Sequence, residues 1–477
     1  MPEQNGIGAY AAYLPAYALR SNSLDGAGPR AGGPARSVAA YDEDSVTMAV
    51  EALREISAGT PPGRQLLLAT TSAPYDGKTS AGIVHEALGL DPGVAAADLR
   101  GHRAGATALD LVLRAGAAAA LADVRTTRPG APDELGQGDA AAAFTAGAAA
   151  AVLLSRAGRT AEVLDRWRLS GERHDRVWDE RFTAEILVAA AREAARQALA
   201  DAGLDAADHV VVASSNARAA AVLRKVLGGS RADAEIERLT GYTGAAHPGL
   251  LLAATLDEAR PGQTILLVSA AEGADAFVFR TGDGVRSARG GRPVRDQLAG
   301  REELGYGRYL RWRGLLDVQG PARPAAPSPA APPMHRRAGW KYRLEGSLCD
   351  ACGGVTTPPS RVCASCGTPG GTAQGADVQG KVSLRDRVAT VVSVTQDHLT
   401  TMPEAQVAIV IADFDAGDTG GGGRLNAYAA DVAPDAVHVG MRMRPTFRRL
   451  WTTDAIHNYF WKLRPWEAAT NVEGHDR

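Results

Sequence analysis

Thiols are almost missing from this chain: of 477 residues four are cysteine, and all four fall between positions 349 and 366. Everything ahead of Cys349 is free of thiols, so no disulfide braces that part and any redox question is confined to one short segment. Charge of one sign is lacking too. The 52 Lys and Arg stand against 54 Asp and Glu, a formal net charge of −2. Without a basic excess or an acidic tail, nucleic-acid binding by bulk electrostatics is disfavoured. No apolar run approaches the roughly 20 residues that a membrane-spanning helix needs. The opening MPEQNGIGAY has neither a cationic leader nor an apolar stretch behind one. The expectation is a cytoplasmic protein with neither membrane nor nucleic acid as partner. What is present is apolar content of 45% alongside 54 Gly and 26 Pro, the balance of a folded, Ala- and Gly-rich chain. At about 100–200 residues per domain, the length predicts two to four units.

Ahead of the cysteines, strand and helix patterns alternate. A strand candidate at Ile7–Leu14 is followed by Glu43–Ile56, where Val46, Val50, Leu53 and Ile56 keep helical spacing, then by the apolar run Gln65–Thr70 and a helix at Ser80–Leu88. The order recurs: a long Ala-rich helix at Phe182–Ala202, strand His209–Ala213, helices Ala217–Leu227 and Gly249–Ala259, strand Thr264–Ser269 running toward Ala276–Arg280. Halves at about 7–154 and 160–282 therefore share one element order, the mark of a duplicated α/β unit on mixed sheets. The Pro/Ala-rich segment Pro321–Pro333 reads as a semi-rigid spacer. Beyond it, Val382–Leu384, Ala389–Val394, Ala405–Phe414, Leu425–Ala429 and Met443–Phe447 read as strands of a small all-β unit.

Between spacer and strands lie Cys349-x2-Cys352 and Cys363-x2-Cys366, each pair followed by glycine (Gly353, Gly367). This is the spacing of two knuckles converging on one tetrahedral Zn²⁺. Two disulfides do not suit a chain without secretory features, and a thioredoxin-like site needs one CxxC rather than two. Four thiolates fill the coordination sphere, so the metal is expected to be structural.

A four-Cys ribbon running from LCDACGGVTTP (348–358) through RVCASCG (361–367) into Gly380–Val394 resembles the acyl-CoA-associated zinc-ribbon plus OB-fold domain found beside thiolase-type enzymes. The stretches GIGAYAAYLP (6–15), KTSAGIVHEALGL (78–90), GQGDAAAAFTAGAAAAVLL (136–154), SNARAAAVLRKVLG (215–228) and GYTGAAHPGLLLAATL (241–256) resemble the thiolase superfamily. The similarity is to its hydroxymethylglutaryl-CoA synthase and ketoacyl synthase III branch. The resemblance implies a duplicated five-layered α/β fold, a homodimer, a coenzyme A or phosphopantetheine thioester as substrate, and acyl-CoA or acyl-carrier protein as partner. It divides the chain into 1–318 (halves about 1–158 and 159–318), a linker at 319–337, a zinc ribbon at 338–378, an OB-fold at 379–450 and a C-terminal tail at 451–477.

In such enzymes a cysteine takes the acyl group, while His and Asn, or a second His, on loops of the second half stabilise the thioester oxyanion and activate the second substrate. Here the nucleophile's place falls at His102 or Arg103 in DLRGHRAG, so the acyl-cysteine route is closed. The loop histidine falls near Ala213, with Asn216 and Arg218 matching the flanking pattern, and the asparagine falls at Tyr242. The acidic residue of the synthases falls near Ser72. Tyr242, His247, His102, Arg103 and Asn216 are thus the candidate catalytic residues. A tyrosine or histidine beside a thioester can act as acid or base, and an arginine or helix N-terminus can hold an oxyanion. The resemblance implies carbon–carbon bond chemistry of Claisen or aldol type without an acyl-cysteine. Its alternatives are a retro-aldolase for β-hydroxyacyl-CoA and a non-catalytic acyl-CoA-binding partner in a hetero-complex. The aromatic run 450–465 is read as a strap docking on the α/β part, and the stripe Tyr306, Tyr309, Trp312 and Leu315 as packing against the second domain.

Overall fold

The structure, a computed structural model, describes residues 5–21, 33–57, 63–324, 328–369, 380–417 and 421–466. These divide into two compact units, one of residues 5–85 with 90–317, the other of 318–466 with 86–89. Parts of the expected linker (325–327), ribbon (370–378), OB-fold (379 and 418–420) and tail (467–477) lie outside the described residues.

The first unit is organised by nine strands: β1 (Gly6–Tyr13), β2 (Gln65–Thr70), β3 (Ala95–Arg100), β4 (Ala118–Asp123), β5 (Ala140–Ala146), β6 (Ala151–Thr160), β7 (His209–Ser214), β8 (Thr264–Ala270) and β9 (Gly273–Thr281). They run in the order β7-β8-β9-β6-β1-β5-β4-β2-β3. In the first half β4, β2 and β3 are parallel, and β5 is antiparallel to both β4 and β1. The second half repeats this: β7 and β8 are parallel, and β9 is antiparallel to β8 and β6. Thus β6 answers to β1, and the second half begins at Ala151 rather than near residue 159. A short antiparallel contact, Gly6 to Val152 and Ile7 to Ala151, joins the two halves.

The helices complete five layers, as the resemblance implied. Helix α1 (Ser45–Ser57) covers the outer face of the first sheet, packing on β1, β4 and β5. Helix α2 (Ala104–Ala115) and the later His247–Glu258 helix touch each other between the sheets. Helices α3 (Glu180–Asp201) and α4 (Ala217–Leu227) cover the far face of the second sheet. The period-2 alternation of the strands sorts residues between layers. Val211, Ile265, Leu267 and Phe277 face the central helices, while Val210, Val212, Leu266 and Val278 face the outer ones. A further helix, α5 (Arg231–Thr240), leads into the turn Gly244–Ala246 and then α6 (His247–Glu258). Tyr309 and Trp312 are buried against Tyr17, Leu19 and Val38 of the same unit, which corrects the expectation that this stripe packs on the second domain.

In the second unit, strands Glu345–Leu348, Val355–Thr356 and Gly380–Ser383 form a small sheet around the cysteines. A five-stranded sheet follows: β10 (Ala389–Asp397), β11 (Val407–Phe414), β12 (Arg424–Tyr428), β13 (Arg442–Thr453) and β14 (Ile456–Pro465), ordered β12-β11-β10-β13-β14. Its outer strands come together where the Ala430 N–H donates to the Leu463 carbonyl at 2.8 Å. The expected strap is therefore a hairpin of this sheet. Tyr459, Trp461 and Leu463 alternate inward and stay within the unit, because the segment has strand rather than strap periodicity. Part of the expected spacer also folds, as the short helix Ala331–Arg336 with prolines in its first turn.

One buried carboxylate ties the first unit's loops together. Asp123, at the end of β4, has no solvent exposure. It accepts from Thr70 Oγ1 (2.9 Å), Thr71 N (2.7 Å), Thr71 Oγ1 (3.0 Å), Ser72 Oγ (2.8 Å) and Ala245 N (2.7 Å). So full a donor set offsets the cost of burying charge. Gly244, at φ +60°, makes the approach possible, because a Cβ there would lie 1.9 Å from Asp123 Oδ2. Gly244→Ala is expected to destabilise the first unit by about 2 kcal/mol or more. An unchanged calorimetric unfolding midpoint would contradict this.

Candidate functional site

Tyr242 is positioned by backbone bonds before its side chain is considered. Its N–H donates to Gly136 O (2.8 Å) and its carbonyl accepts from Gly138 N (3.0 Å), fixing the loop after α5 against the loop before β5. The phenol then reaches the Gly101–His102–Arg103 turn ahead of α2, where Tyr242 Oη lies 3.1 Å from His102 Nδ1. The His102 ring stacks on the phenol at 5.9 Å, the His247 ring meets it edge-on at 5.0 Å, and the Arg125 guanidinium sits 5.9 Å from its centre.

Burial pushes the Tyr242 pKa up, so it stays a phenol. His102 moves the other way. Burial, then the charges of Arg125, Arg166 and Arg168, hold its pKa well below the ordinary imidazole range. A neutral imidazole has one lone-pair nitrogen, and Nδ1 can take the phenol's hydrogen bond. Nε2 lies 3.8 Å from Asp175 Oδ2.

The arginines that set this potential converge on Asp175. Arg125 pairs with it directly, Arg168 Nε lies at 3.3 Å and Arg166 at 3.8 Å. Burial brings the Arg125 pKa down to about 10. Arg125 also bonds Thr71 Oγ1 at 2.6 Å, and Arg168 bonds the Thr71 carbonyl, so the cluster rests on the loop that Asp123 holds. Arg166–Trp167 and Arg176–Val177 form a two-stranded ribbon beside an open cleft of about 880 Å³. Arg128, Trp167, Arg173 and Trp178 line it, and so does Asp175, which joins the cleft to the His102 environment.

The remaining candidates are engaged elsewhere. The His247 nitrogens face away from the phenol, Nδ1 toward Thr243 Oγ1 (3.3 Å) and Nε2 toward Glu237 Oε2 (3.5 Å). Burial opposes the charge on Glu237, yet His247 and Arg224 bring its pKa down to about 2. Arg103 grips both oxygens of Asp275, at 2.7 and 3.0 Å. Asn216 caps α4: Oδ1 accepts from Ala219 N (3.0 Å), and Nδ2 donates to Asp165 Oδ1 (2.8 Å) and Thr183 Oγ1 (3.1 Å). With both amide ends used, Asn216 has no donor left for an oxyanion; Arg103 is paired with Asp275, and the His247 ring lies between Thr243 and Glu237. Ser72 bonds Asp123 and supplies no acid. Reasoning from sequence missed Arg125, Arg166, Arg168 and Asp175, which share no motif.

In the second unit the four cysteines come together, their sulfurs all within 4.8 Å of one another. Cys349 to Cys366 and Cys352 to Cys363 measure 3.7 and 3.6 Å. Four sulfurs about 2.3 Å from one metal would be about 3.8 Å apart. Each knuckle closes alike: Gly353 N and Gly367 N, both at φ near +70°, donate to the Cys349 and Cys363 carbonyls. Gly354 N and Ser365 N point at Cys352 and Cys363 sulfur at 3.4 Å. The donor set fits a thiophilic tetrahedral cation.

No family model matches the chain. It is 30% identical over 335 residues to the hydroxymethylglutaryl-CoA synthase of Pyrococcus furiosus, an alignment covering 65% of this chain and 95% of that protein. Its fold is similar to MvaS in complex with 3-hydroxy-3-methylglutaryl coenzyme A (TM-score 0.53, 20% identity, 69% of this chain and 96% of that one). It is also similar to the HMG synthase of the curacin biosynthetic pathway in complex with acetyl donor-ACP (TM-score 0.51, 16% identity, 65% and 88%). These structures support the thiolase-like fold. Among the described residues no helix is long and apolar enough to cross a membrane.

The depressed His102 pKa has a consequence for stability. An unfolded imidazole takes a proton below about pH 6.5, while the native one resists it. Stability therefore falls as pH drops through 6.5 and goes on falling toward the native pKa. The difference in urea midpoint between pH 7 and pH 5 is expected to shrink in His102→Asn; an equal difference in both proteins would refute the assignment.

Proposed function

The chain belongs to the hydroxymethylglutaryl-CoA synthase family, and on that premise we propose that it acts on a coenzyme A or carrier-protein thioester without forming an acyl-cysteine. It is an acyltransferase of the thiolase superfamily, making or breaking a carbon–carbon bond by Claisen or aldol chemistry. The observation that carries the reading is the buried Tyr242–His102 pair at the start of the central helix, in a unit without a thiol. With no thiol to receive it, the acyl group stays on its own carrier.

The chemistry follows from the pair. When His102 carries its proton on Nε2, Nδ1 accepts from the phenol. When the proton is on Nδ1, the imidazole donates to the phenol oxygen and frees the phenol hydrogen for a substrate oxygen. Tyr242 can then donate to the alkoxide formed as an enolate adds to a carbonyl, and the same contact in reverse assists retro-aldol cleavage. Neutral donors suit this role because they need no counter-charge in a buried site. The cleft ending at Asp175 is the proposed entrance for the thioester.

We assign a structural Zn²⁺ to Cys349, Cys352, Cys363 and Cys366, and read their unit as the acyl-CoA-associated zinc-ribbon and OB-fold module. The four thiolates would hold the ion, which would cross-link the two knuckles and supply no reaction chemistry. Reduced thiols fit a cytoplasmic location. A homodimer is proposed through β3, an edge strand paired on one side only among the described residues.

Incubated with acetyl-CoA and acetoacetyl-CoA, the chain is expected to turn over, and Tyr242→Phe to lose at least about tenfold in kcat. Full activity in that variant would remove Tyr242 from the mechanism. Metal analysis is expected to find one zinc per chain, lost in Cys363→Ser together with the second unit's cooperative unfolding. A metal-free chain that melts identically would overturn the zinc assignment.

A further inference from the structure

Backbone bonds fix where Tyr242 begins, and only side chains fix where its ring lies. His102, Arg125 and His247 meet the phenol. The first two belong to the proposed chemistry and its charge environment, whereas His247 points its nitrogens elsewhere. It is fully buried, so both nitrogens need partners.

Those partners agree on one proton position. Nδ1 faces the Thr243 N–H at 3.4 Å and the Thr243 hydroxyl at 3.3 Å. A backbone N–H can only donate, so Nδ1 is the nitrogen with the lone pair, and in the neutral ring the proton then sits on Nε2. At that end the one partner among the described residues is Glu237 Oε2, 3.5 Å away. An ionised carboxylate can only accept. Thr243, ahead of the turn, and Glu237, on α5, therefore select the same tautomer from opposite sides. Moving the proton would set donor against donor at Nδ1 and acceptor against acceptor at Nε2.

Glu237 is itself held. Arg224 of α4 pairs with its Oε2, and the same guanidinium nitrogen donates to the Val212 carbonyl of β7 at 3.2 Å. The Glu237 carbonyl accepts from the Gly241 N–H at 2.7 Å, next to Tyr242. A line of contacts thus runs from β7 through Arg224, Glu237 and His247 to the phenol. Against an apolar pair of similar size, an ion pair this far from water adds little stability.

Resting on the condensing reading above, we propose that Glu237 is a positioning residue for Tyr242: by fixing the His247 tautomer it holds that ring edge-on to the phenol and keeps the phenol oxygen on His102 Nδ1. With the imidazole free to turn over, the phenol gains room and its oxygen leaves the line to His102. The hydrogen meant for the substrate oxygen is then no longer aimed. His247 transmits the constraint and exchanges no proton with substrate.

Removing Glu237 alone strands the Arg224 charge, so the test replaces the pair together, Arg224→Met with Glu237→Leu. Glu237→Gln, which keeps an acceptor oxygen, is the conservative variant. The full-length chain labelled with 15N-histidine and 13Cζ-tyrosine is read by NMR, with His247→Asn and Tyr242→Phe assigning the signals. The wild-type chain is expected to carry the His247 proton on Nε2; a proton on Nδ1 overturns the proposal whatever the variants do. The paired variant is expected to move the Tyr242 signal and to lose at least about tenfold in kcat with acetyl-CoA and acetoacetyl-CoA, with KM and melting temperature little changed. Glu237→Gln is expected to restore the signal and most of the kcat. In the Tyr242→Phe background the paired variant is expected to cost nothing further, because both changes remove one contribution. An unmoved Tyr242 signal, or the same further loss in that background, overturns the positioning role while the condensing reading stands. A moved signal in a chain whose wild type turns nothing over overturns the condensing reading and leaves the placement of the phenol by Glu237 standing.

Discussion

The first unit depends on a negative charge that never meets water. Asp123 lies where β4 ends, and the donors around it come from both halves of the duplication: Thr70 to Ser72 after β2, and Ala245 before α6. An ionised carboxylate can stay buried only while nearly every lone pair is used, so these segments cannot drift independently. Thr71 passes the constraint on, because its side chain and carbonyl anchor Arg125 and Arg168. Those arginines add to burial in holding the His102 pKa down, and His102 lies against the Tyr242 phenol. Fold and site are thus coupled through one aspartate that carries out no chemistry itself.

Much of the fold is legible in the sequence where side chains are large. The runs QLLLAT and TILLVS read as strands because Leu, Ile and Val give a clear apolar signal, and both are strands. The alanine strands are silent. Ala95–Arg100, Ala118–Asp123 and Ala140–Ala146 have the composition of helices, and only their pairing with neighbouring strands of the sheet makes them strands. The aromatic hairpin at 442–465 failed for another reason: its inward residues alternate, but charged and polar residues between them disguise the face they share. That hairpin supplies two of the five strands of the second unit's larger sheet, so reading 450–465 as a strap cut the sheet short.

The site divides along a similar line. Cysteine spacing reveals the four-sulfur cluster because its members lie within 18 residues of sequence, 349 to 366. Tyr242 and His102 stand out only through resemblance, by occupying places where other residues are expected. Arg125, Arg166, Arg168 and Asp175 have no such cue: each is an ordinary charged residue, and their importance comes from being buried together. Asn216 shows the converse. It matches a family pattern in letter, yet its amide is consumed in starting a helix.

The arm that forms the cleft wall is fastened along its length. Arg168 holds the Thr71 carbonyl, Asp175 is held by Arg125, and Arg173 donates to the carbonyls of Arg313 and Gly314 at 2.8 and 3.3 Å. A wall tied at three points to the body of its own unit behaves as a fixed aperture rather than a hinged cover. Trp178, 64% exposed at the rim, is free to change rotamer without breaking any of those ties. If the thioester enters here, as proposed, selection falls to the shape and charge of a standing opening, and the time spent inside is set by contacts with the wall, with no wait for the backbone to reopen.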